Sequence, residues 1–278
     1  MTTATISAAD VNKLRQQTGS GMMDCKKALT EANGDFEAAI DILRKKGQKI
    51  AANRQDREAK EGYVFGKVTA DGKEGFVIAV CCETDFVAVN ADFLKYGESI
   101  LDLAVSNKAK SADELKAMKL GDRTVAETLV DQMGRIGEKI DLVDFAYVNA
   151  EKVIIYNHPG NKLTSVVAFD TTNQTAADAG RDIAMQVAAM APVAIDKDDV
   201  DSTLLEREVE IAKEQIRAEG KPENMIEKIA AGKINKFYSE YTLLNQQFIK
   251  DEKKTVRQYL ESVDKNAHIT AMKRVKIG

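Results

Sequence analysis

Along the first 47 positions, apolar residues recur at the three- and four-residue spacing of helices. Val11 and Leu14 begin a stripe behind Ser7, which can cap a helix, with Asp10 three residues on in a capping-box arrangement. Thr18-Gly19-Ser20-Gly21 breaks the chain, and Met22 to Ala32 forms a second helix. Asn33-Gly34-Asp35 turns the chain again, and Phe36 to Lys46 makes a third helix with Phe36, Ala39, Ile40 and Leu43 on one face. Gly47 suits the left-handed position that ends such a helix. From Gln48 to Glu61 the chain is rich in charge and Ala and lacks a full apolar face, the pattern of a partly helical linker.

The pattern then shortens to that of strands. Tyr63 to Val68 and Glu74 to Cys82 predict a hairpin with its turn at Asp71-Gly72. A helical stretch follows with Phe93, Ile100, Leu101 and Ala104 as its apolar residues, and another helix is predicted over Thr124 to Ile136. The order recurs with strands at Val153 to Tyr156 and Leu163 to Asp170, around His158-Pro159-Gly160-Asn161, and a helix from about Ala176 to Met190. This predicts a duplicated hairpin-plus-helix unit. Residues 198–241 are helical with a break at Gly220-Lys221-Pro222. Leu205, Val209, Ala212 and Ile216 form a short heptad stripe, and Ile226, Ile229, Ile234 and Phe237 can line a returning helix, so a protruding antiparallel arm is expected. A helix near Thr255 to Ser262 and a strand near Ile269 to Ile277 close the chain. The fold class is α+β. The expected division is 1–47, a linker at 48–61, a first core subdomain at 62–150, and a second at 151–278 that includes the arm.

At 278 residues the chain has room for two or three domains, and 44 % hydrophobic with 30 % charged residues allows buried cores and a polar surface. A net charge of −4 argues against nucleic acid as the main partner, because phosphate binding needs a cationic surface. No apolar stretch approaches the ~20 residues of a membrane span. Met1-Thr2-Thr3-Ala4-Thr5 lacks the features of a signal peptide, so a cytoplasmic bacterial protein is expected. The three cysteines, Cys25, Cys81 and Cys82, imply reduced thiols, and the two histidines, His158 and His268, are too few and too far apart for a zinc site. No phosphate-binding loop motif occurs. Gly19-Ser20-Gly21 reads as a turn. Cys82 with His158 admits a thiol dyad, but an inert Cys in a strand is the simpler reading. No cofactor and no metal are expected.

The unusual segment is Glu83-Thr84-Asp85-Phe86-Val87-Ala88, set directly after the apolar run Gly75-Phe76-Val77-Ile78-Ala79-Val80. An acid beside a large aromatic at a strand-to-helix corner has two readings. Phe86 is a core residue with Asp85 capping the helix, or the pair points outward as a charge and a wedge aimed at another molecule.

With the segment from Leu14 to Leu29, which contains Thr18-Gly19-Ser20-Gly21-Met22-Met23-Asp24-Cys25-Lys26-Lys27, this stretch resembles the two signature segments of the elongation factor Ts family. Members of that family are nucleotide exchange factors for the GTPase elongation factor Tu. Tyr156-Asn157-His158, the run from Asp182 to Ala189, Gly220-Lys221-Pro222, and Glu227-Lys228-Ile229 with Gly232-Lys233 continue the resemblance in order. It implies that residues 1–47 form a ubiquitin-associated-like three-helix domain. It also implies that the protein binds elongation factor Tu carrying GDP and promotes GDP release without covalent catalysis. Asp85 and Phe86 match the family's intruding pair, which disturbs the Mg²⁺ and phosphate region, with Thr84 and Val87 flanking it. Ile136, Gly137, Glu138 and His158 match core contacts, and Leu14, Met22, Met23 and Lys26 match contacts of the N-terminal domain. A dimer of two heterodimers with the GTPase is a further expectation, and neither nucleic acid nor membrane is expected as a partner. Cys81, Val89 and Gln247 depart from the family's usual residues, and none of them belongs to the intruding pair. The competing reading is a different interaction module that grips a helical or peptide partner through its three-helix domain.

Overall fold

The computed structural model describes residues 5–278, in which helices α1 (Ala8–Thr18), α2 (Met22–Glu31) and α3 (Phe36–Asn53) come first. They are followed by β1 (Glu61–Val68), β2 (Glu74–Cys82), α4 (Asp85–Ala88), α5 (Ala91–Asn107) and α6 (Ala112–Ala117). Then come β3 (Lys119–Leu120), β4 (Arg123–Thr124), α7 (Val125–Ile136) and β5 (Asp141–Asn149). The second half runs β6 (Lys152–Asn157), β7 (Leu163–Phe169), α8 (Gln174–Met190), α9 (Ser202–Ala218) and α10 (Glu223–Tyr241). It ends with β8 (Gln247–Phe248), β9 (Asp251–Thr255), α11 (Val256–Val263) and β10 (Ile269–Lys276). The fold is α+β. The chain divides into two compact units. One takes in the described residues through Phe65 with Ile78–Phe145 and Ile277–Gly278, and the other takes in Gly66–Val77 and Ala146–Lys276.

In the first unit, α1 starts on the expected capping box: Ser7 Oγ accepts from the Asp10 amide at 3.1 Å, and the Ser7 amide donates to Asp10 at 3.1 Å. Gly19, at φ +67°, ends it. Asp35 caps α3 through the Ala38 amide. Val11, Leu14, Cys25, Ala28, Leu29 and Ala39 make the small core between the three helices. The third helix is longer than the sequence suggests. It runs through Gly47 to Asn53, so Gly47 is a mid-helix residue rather than a cap, and the first six residues of the expected linker are helical. Gly47 has a packing role instead. α3 lies against α7 with Gly47 facing Gly134, so closely that a Cβ on Gly134 would stand 2.7 Å from the Gly47 Cα. Two helices without side chains at their crossing bring backbone against backbone.

The order β1-β2-β5 gives one three-stranded sheet and β10-β7-β6 another. Each sheet is a hairpin whose second strand later receives a strand that returns after the intervening helices. The repeated unit is therefore longer than a hairpin plus one helix: it includes the return strand, β5 in one case and β10 in the other. In the second unit β6 and β10 each pair antiparallel with the central strand β7. Val167, Phe169, Ile183, Val187, Leu243 and Leu260 are among the residues that close the core between this sheet and the helices α8 and α11. Gln186, fully buried on α8, donates to Gln246 Oε1 and Gln247 O at 3.0 Å each and accepts from the Ile249 amide at 2.8 Å, so its amide is satisfied on both sides.

α9 and α10 form the expected antiparallel arm. Ala212, Ile216, Ile226 and Ala230 are its buried core, with Lys213–Glu227 (2.9 Å) and Arg217–Glu223 (3.2 Å) bridging the two helices. Leu205, Val209, Ile234 and Phe237 are only half-buried, so the stripe read from the sequence closes over part of its length.

Candidate functional site

β2 is buried along its whole length, and it delivers the chain to the corner at Glu83. There Thr84, in extended conformation, caps the single helical turn α4, its hydroxyl facing the Val87 amide at 3.4 Å. The cap is Thr84 and not Asp85. Ala88 is the buried foot of the turn, and Asn90 caps the next helix, accepting from the amides of Asp92 (2.8 Å) and Phe93 (3.4 Å). With both ends capped and Ala88 beneath, Asp85, Phe86 and Val89 face outward. Phe86 is 82 % exposed, Val89 is 75 % exposed, and Asp85 is exposed beside them. Phe86 and Val89 stand three residues apart on one side of the turn. Phe86 therefore has no share in a core, which removes the first of the two readings of this corner. Val87 is half-buried.

The segment after α7 meets this corner. Gly137, at φ +82°, is the left-handed cap of α7, its amide donating to Met133 O at 2.8 Å. Ile136, Gly137 and Glu138 are all partly exposed. The Glu138 carboxylate reaches back to the corner and accepts from the Glu83 amide (3.2 Å), the Thr84 amide (3.0 Å) and the Thr84 hydroxyl (2.7 Å). Glu83 returns the contact, accepting from the Lys139 amide at 2.6 Å, and it is paired with Arg54 and with Arg57 (3.3 Å). Lys139 Nζ donates to the carbonyls of Gln55 (2.7 Å) and Arg57 (2.9 Å). Burial alone would raise the Glu83 carboxyl; the Lys139 amide and the two guanidinium groups outweigh it and hold it below the ordinary Glu range. Arg54, Arg57 and Lys139 were not singled out from the sequence, and Glu83 was noted only as the first residue of the unusual segment. The only trace there is the charge of the 48–61 stretch, whose partners lie tens of residues away.

On the three-helix part, Met22 and Met23 open α2 behind Gly21 and are 56 % and 65 % exposed, with Lys26 exposed on the following turn. Cys25, Ala28 and Leu29 take the inward face of the same helix. Two flexible thioethers on an outward face are suited to an adaptable contact. Leu14 differs from expectation: its side chain is fully buried in the three-helix core, so it supports that surface from beneath and offers none of its own.

His158 belongs to the second unit. Its amide donates to Leu163 O at 2.9 Å, closing the β6–β7 hairpin over Pro159 and Gly160, the latter at φ +90°. The imidazole is exposed, hydrogen-bonded through Nδ1 to the Tyr156 hydroxyl at 3.1 Å, and set edge-on to that ring.

Cys81 and Cys82 are buried and unpaired, and burial pushes their thiols up to about 11 and about 12. A thiol held that high is not the thiolate that a nucleophile needs near neutral pH. Among the described residues no group of His, Cys, Asp and Glu is arranged to hold a metal ion, and no helix is long and apolar enough to cross a membrane.

The sequence comparisons bear on this geometry. The family described as Elongation factor TS matches residues 83–278, beginning at the Glu83 corner. Relatives named elongation factor Ts span almost the whole chain. One from Cytophaga hutchinsonii is 52 % identical over 277 residues, covering 99 % of this chain and 100 % of the relative. Another from Flavobacterium psychrophilum is 47 % identical over 275 residues, covering 99 % and 100 %. A third from Amoebophilus asiaticus is 47 % identical over 274 residues, covering 98 % and 99 %.

Proposed function

This chain belongs to the elongation factor Ts family, with its nucleotide-exchange role in translation elongation, and from that premise we propose that it binds elongation factor Tu carrying GDP and speeds GDP release by inserting the Asp85–Phe86 turn. The observation that carries the reading is the exposure of Phe86 on a turn capped at both ends. The work is done by binding, without covalent chemistry.

A GTPase of this kind holds its nucleotide through backbone amides around the phosphates and through Mg²⁺. A thousandfold faster release requires ~4 kcal/mol off the barrier. Burying one Phe side chain in a partner gives ~1.5–3 kcal/mol, so Phe86 alone falls short. Asp85 supplies the rest in this proposal. A carboxylate brought near the β-phosphate repels it, and one brought near the Mg²⁺ ligands competes with them. Val89, on the same side of the turn, adds apolar area to the wedge.

The other contacts follow the same logic. Thr84 and Val87 frame the turn, and Ile136 and Gly137 present a surface beside it. His158 makes a further contact from the second unit. Met22, Met23 and Lys26 grip the GTPase from the three-helix part, residues 1–47, and Leu14 holds that grip in shape. The test is release of labelled GDP from elongation factor Tu with and without this protein, native and Phe86→Ala. Acceleration by the native protein that is largely lost in the variant supports the proposal. No acceleration by the native protein refutes it.

A further inference from the structure

The four-residue helix α4 has too few hydrogen bonds to stand by itself. Its outward pose must come from what holds it, and beside the Thr84 and Asn90 caps and buried Ala88 that hold includes one carboxylate. A carboxylate offers about four acceptor positions. Glu138 spends three of them inside the protein, two on the Glu83 and Thr84 amides and one on the Thr84 hydroxyl. Glu83 closes the reciprocal bond to the Lys139 amide. Two acids 55 residues apart in sequence thus each accept a backbone amide from the other's segment, Glu138 from Glu83 and Glu83 from Lys139, and fasten the corner to the end of α7. The left-handed Gly137 is what turns the chain so that residue 138 faces back to the corner.

We propose that Glu138 is a positioning residue, which with Glu83 holds the Asp85–Phe86 turn in its outward pose before any partner arrives, rather than a direct partner contact. The proposal deepens the exchange-factor reading and rests on it for its kinetic part. Its structural part stands alone. A pre-set wedge enters its partner without first paying the ordering cost of a loose loop. Glu138 thereby acts on GDP release only through the turn.

The first measurement needs no partner. In the free protein, Glu138→Ala makes the Thr84 and Val87 amides exchange with solvent about tenfold faster or more, while amides of β2 and α5 keep their rates. Equal exchange in native and variant protein overturns the clamp, whatever the function. The second measurement is GDP release from elongation factor Tu. Glu138→Ala slows release at saturating factor, Glu138→Gln restores most of it, and the Phe86→Ala/Glu138→Ala double variant is within about twofold of Phe86→Ala alone. The amide of Gln keeps an oxygen for the two N–H donors; its NH2 meets the Thr84 hydroxyl, which turns from donor to acceptor, so that two of the three bonds stay as they are and the charge is lost. A direct contact with a cation on the partner predicts the opposite: Glu138→Gln as slow as Glu138→Ala, and effects that multiply in the double variant. Either result overturns the proposal. If Glu138→Ala fails to fold, Glu138→Asp draws the carboxylate back by one methylene, and the same acceleration of exchange at the Thr84 amide and the same twofold limit against Phe86→Ala apply; native exchange at Thr84 in that variant overturns the clamp. A native protein that shows the clamp by amide exchange yet fails to release GDP refutes the exchange reading and leaves the clamp standing.

Discussion

The crossing of α3 and α7 predicts that two glycines in mutual contact respond oppositely to the same substitution. Gly47 and Gly134 both lie within helices, so replacing either by Ala gains about 1 kcal/mol of helix propensity. What the new methyl meets differs. At Gly47 the nearest atoms stand 3.4 Å (Val130 O) and 3.5 Å (Gly134 Cα) away, an ordinary contact that a small adjustment accepts. At Gly134 the nearest atom is the Gly47 Cα at 2.7 Å, which is backbone and cannot turn aside. The helices must separate by roughly an ångström, and overpacking of that sort costs about 1–3 kcal/mol. Gly47→Ala should therefore be neutral or stabilising by up to about 1 kcal/mol, and Gly134→Ala neutral to destabilising by about 2 kcal/mol. At ~2–4 °C per kcal/mol, the two variants should melt several degrees apart, with Gly134→Ala the lower. Thermal melting by circular dichroism reads this directly. Equal melting temperatures, or Gly47→Ala the lower, would refute the packing argument. The substitution also displaces the three-helix part from α7, whose end carries Ile136 to Glu138, so Gly134→Ala should weaken binding to the GTPase more than Gly47→Ala does.

Three further outcomes follow. Leu14→Ala should lose about 2–5 kcal/mol of stability in the three-helix core, measured by denaturant unfolding, whereas Met22→Ala/Met23→Ala should leave unfolding unchanged and weaken affinity for elongation factor Tu in calorimetric titration. Phe86→Ala should leave the melting temperature within a degree or so, because an 82 % exposed side chain gives the fold almost nothing, and a large drop would return Phe86 to the core. Glu83 has a folded-state carboxyl below the ordinary value of about 4.3, so its stabilisation is present above that value and fades as pH falls through the lower folded one. Glu83→Gln should flatten the fall of melting temperature between about pH 5 and pH 3, and an unchanged slope would show that the Arg54, Arg57 and Lys139 contacts carry no net free energy.

Much of the fold was legible because local signals and tertiary demands agree. Ser7, Thr124 and Thr255 read as helix starts and are capping-box residues in the structure. The hairpins at Asp71-Gly72 and Pro159-Gly160 were placed by turn chemistry that only those residues satisfy well. The misses occur where the two kinds of signal part. β5 went unread because its inward row of Leu142, Ala146 and Val148 is broken at Asp144, a residue that strands disfavour and that here faces solvent. Gly47 looks like a helix end and is a helix crossing. A glycine needed for left-handed backbone and a glycine needed for close approach are the same letter, and only the neighbour across the crossing tells them apart.

The candidate site divides along the same line. That Asp85 and Phe86 form an odd pair was visible in the sequence, since the signal lies in two adjacent residues. Whether Phe86 points in or out was not visible, because burial depends on what surrounds the corner rather than on the corner itself. Thr84, Ala88 and Asn90 settle the direction by capping and anchoring the turn. Glu138, from a distant stretch of the chain, fixes its place. An isolated turn of four residues would sample many poses, and in most of them an exposed Phe would collapse onto the nearest apolar surface. Holding it outward needs polar bonds stronger than that tendency. A carboxylate accepting from two amides and a hydroxyl is of that strength, since hydrogen bonds to a charged group are worth about 1.5–3 kcal/mol each, comparable to the ~1.5–3 kcal/mol gained by burying a Phe. The acids around the corner therefore have two jobs that composition alone cannot separate. Asp85 is left exposed, available in the proposed mechanism to the GTPase, and Glu83 and Glu138 are bonded within the protein to the corner that carries it and Phe86.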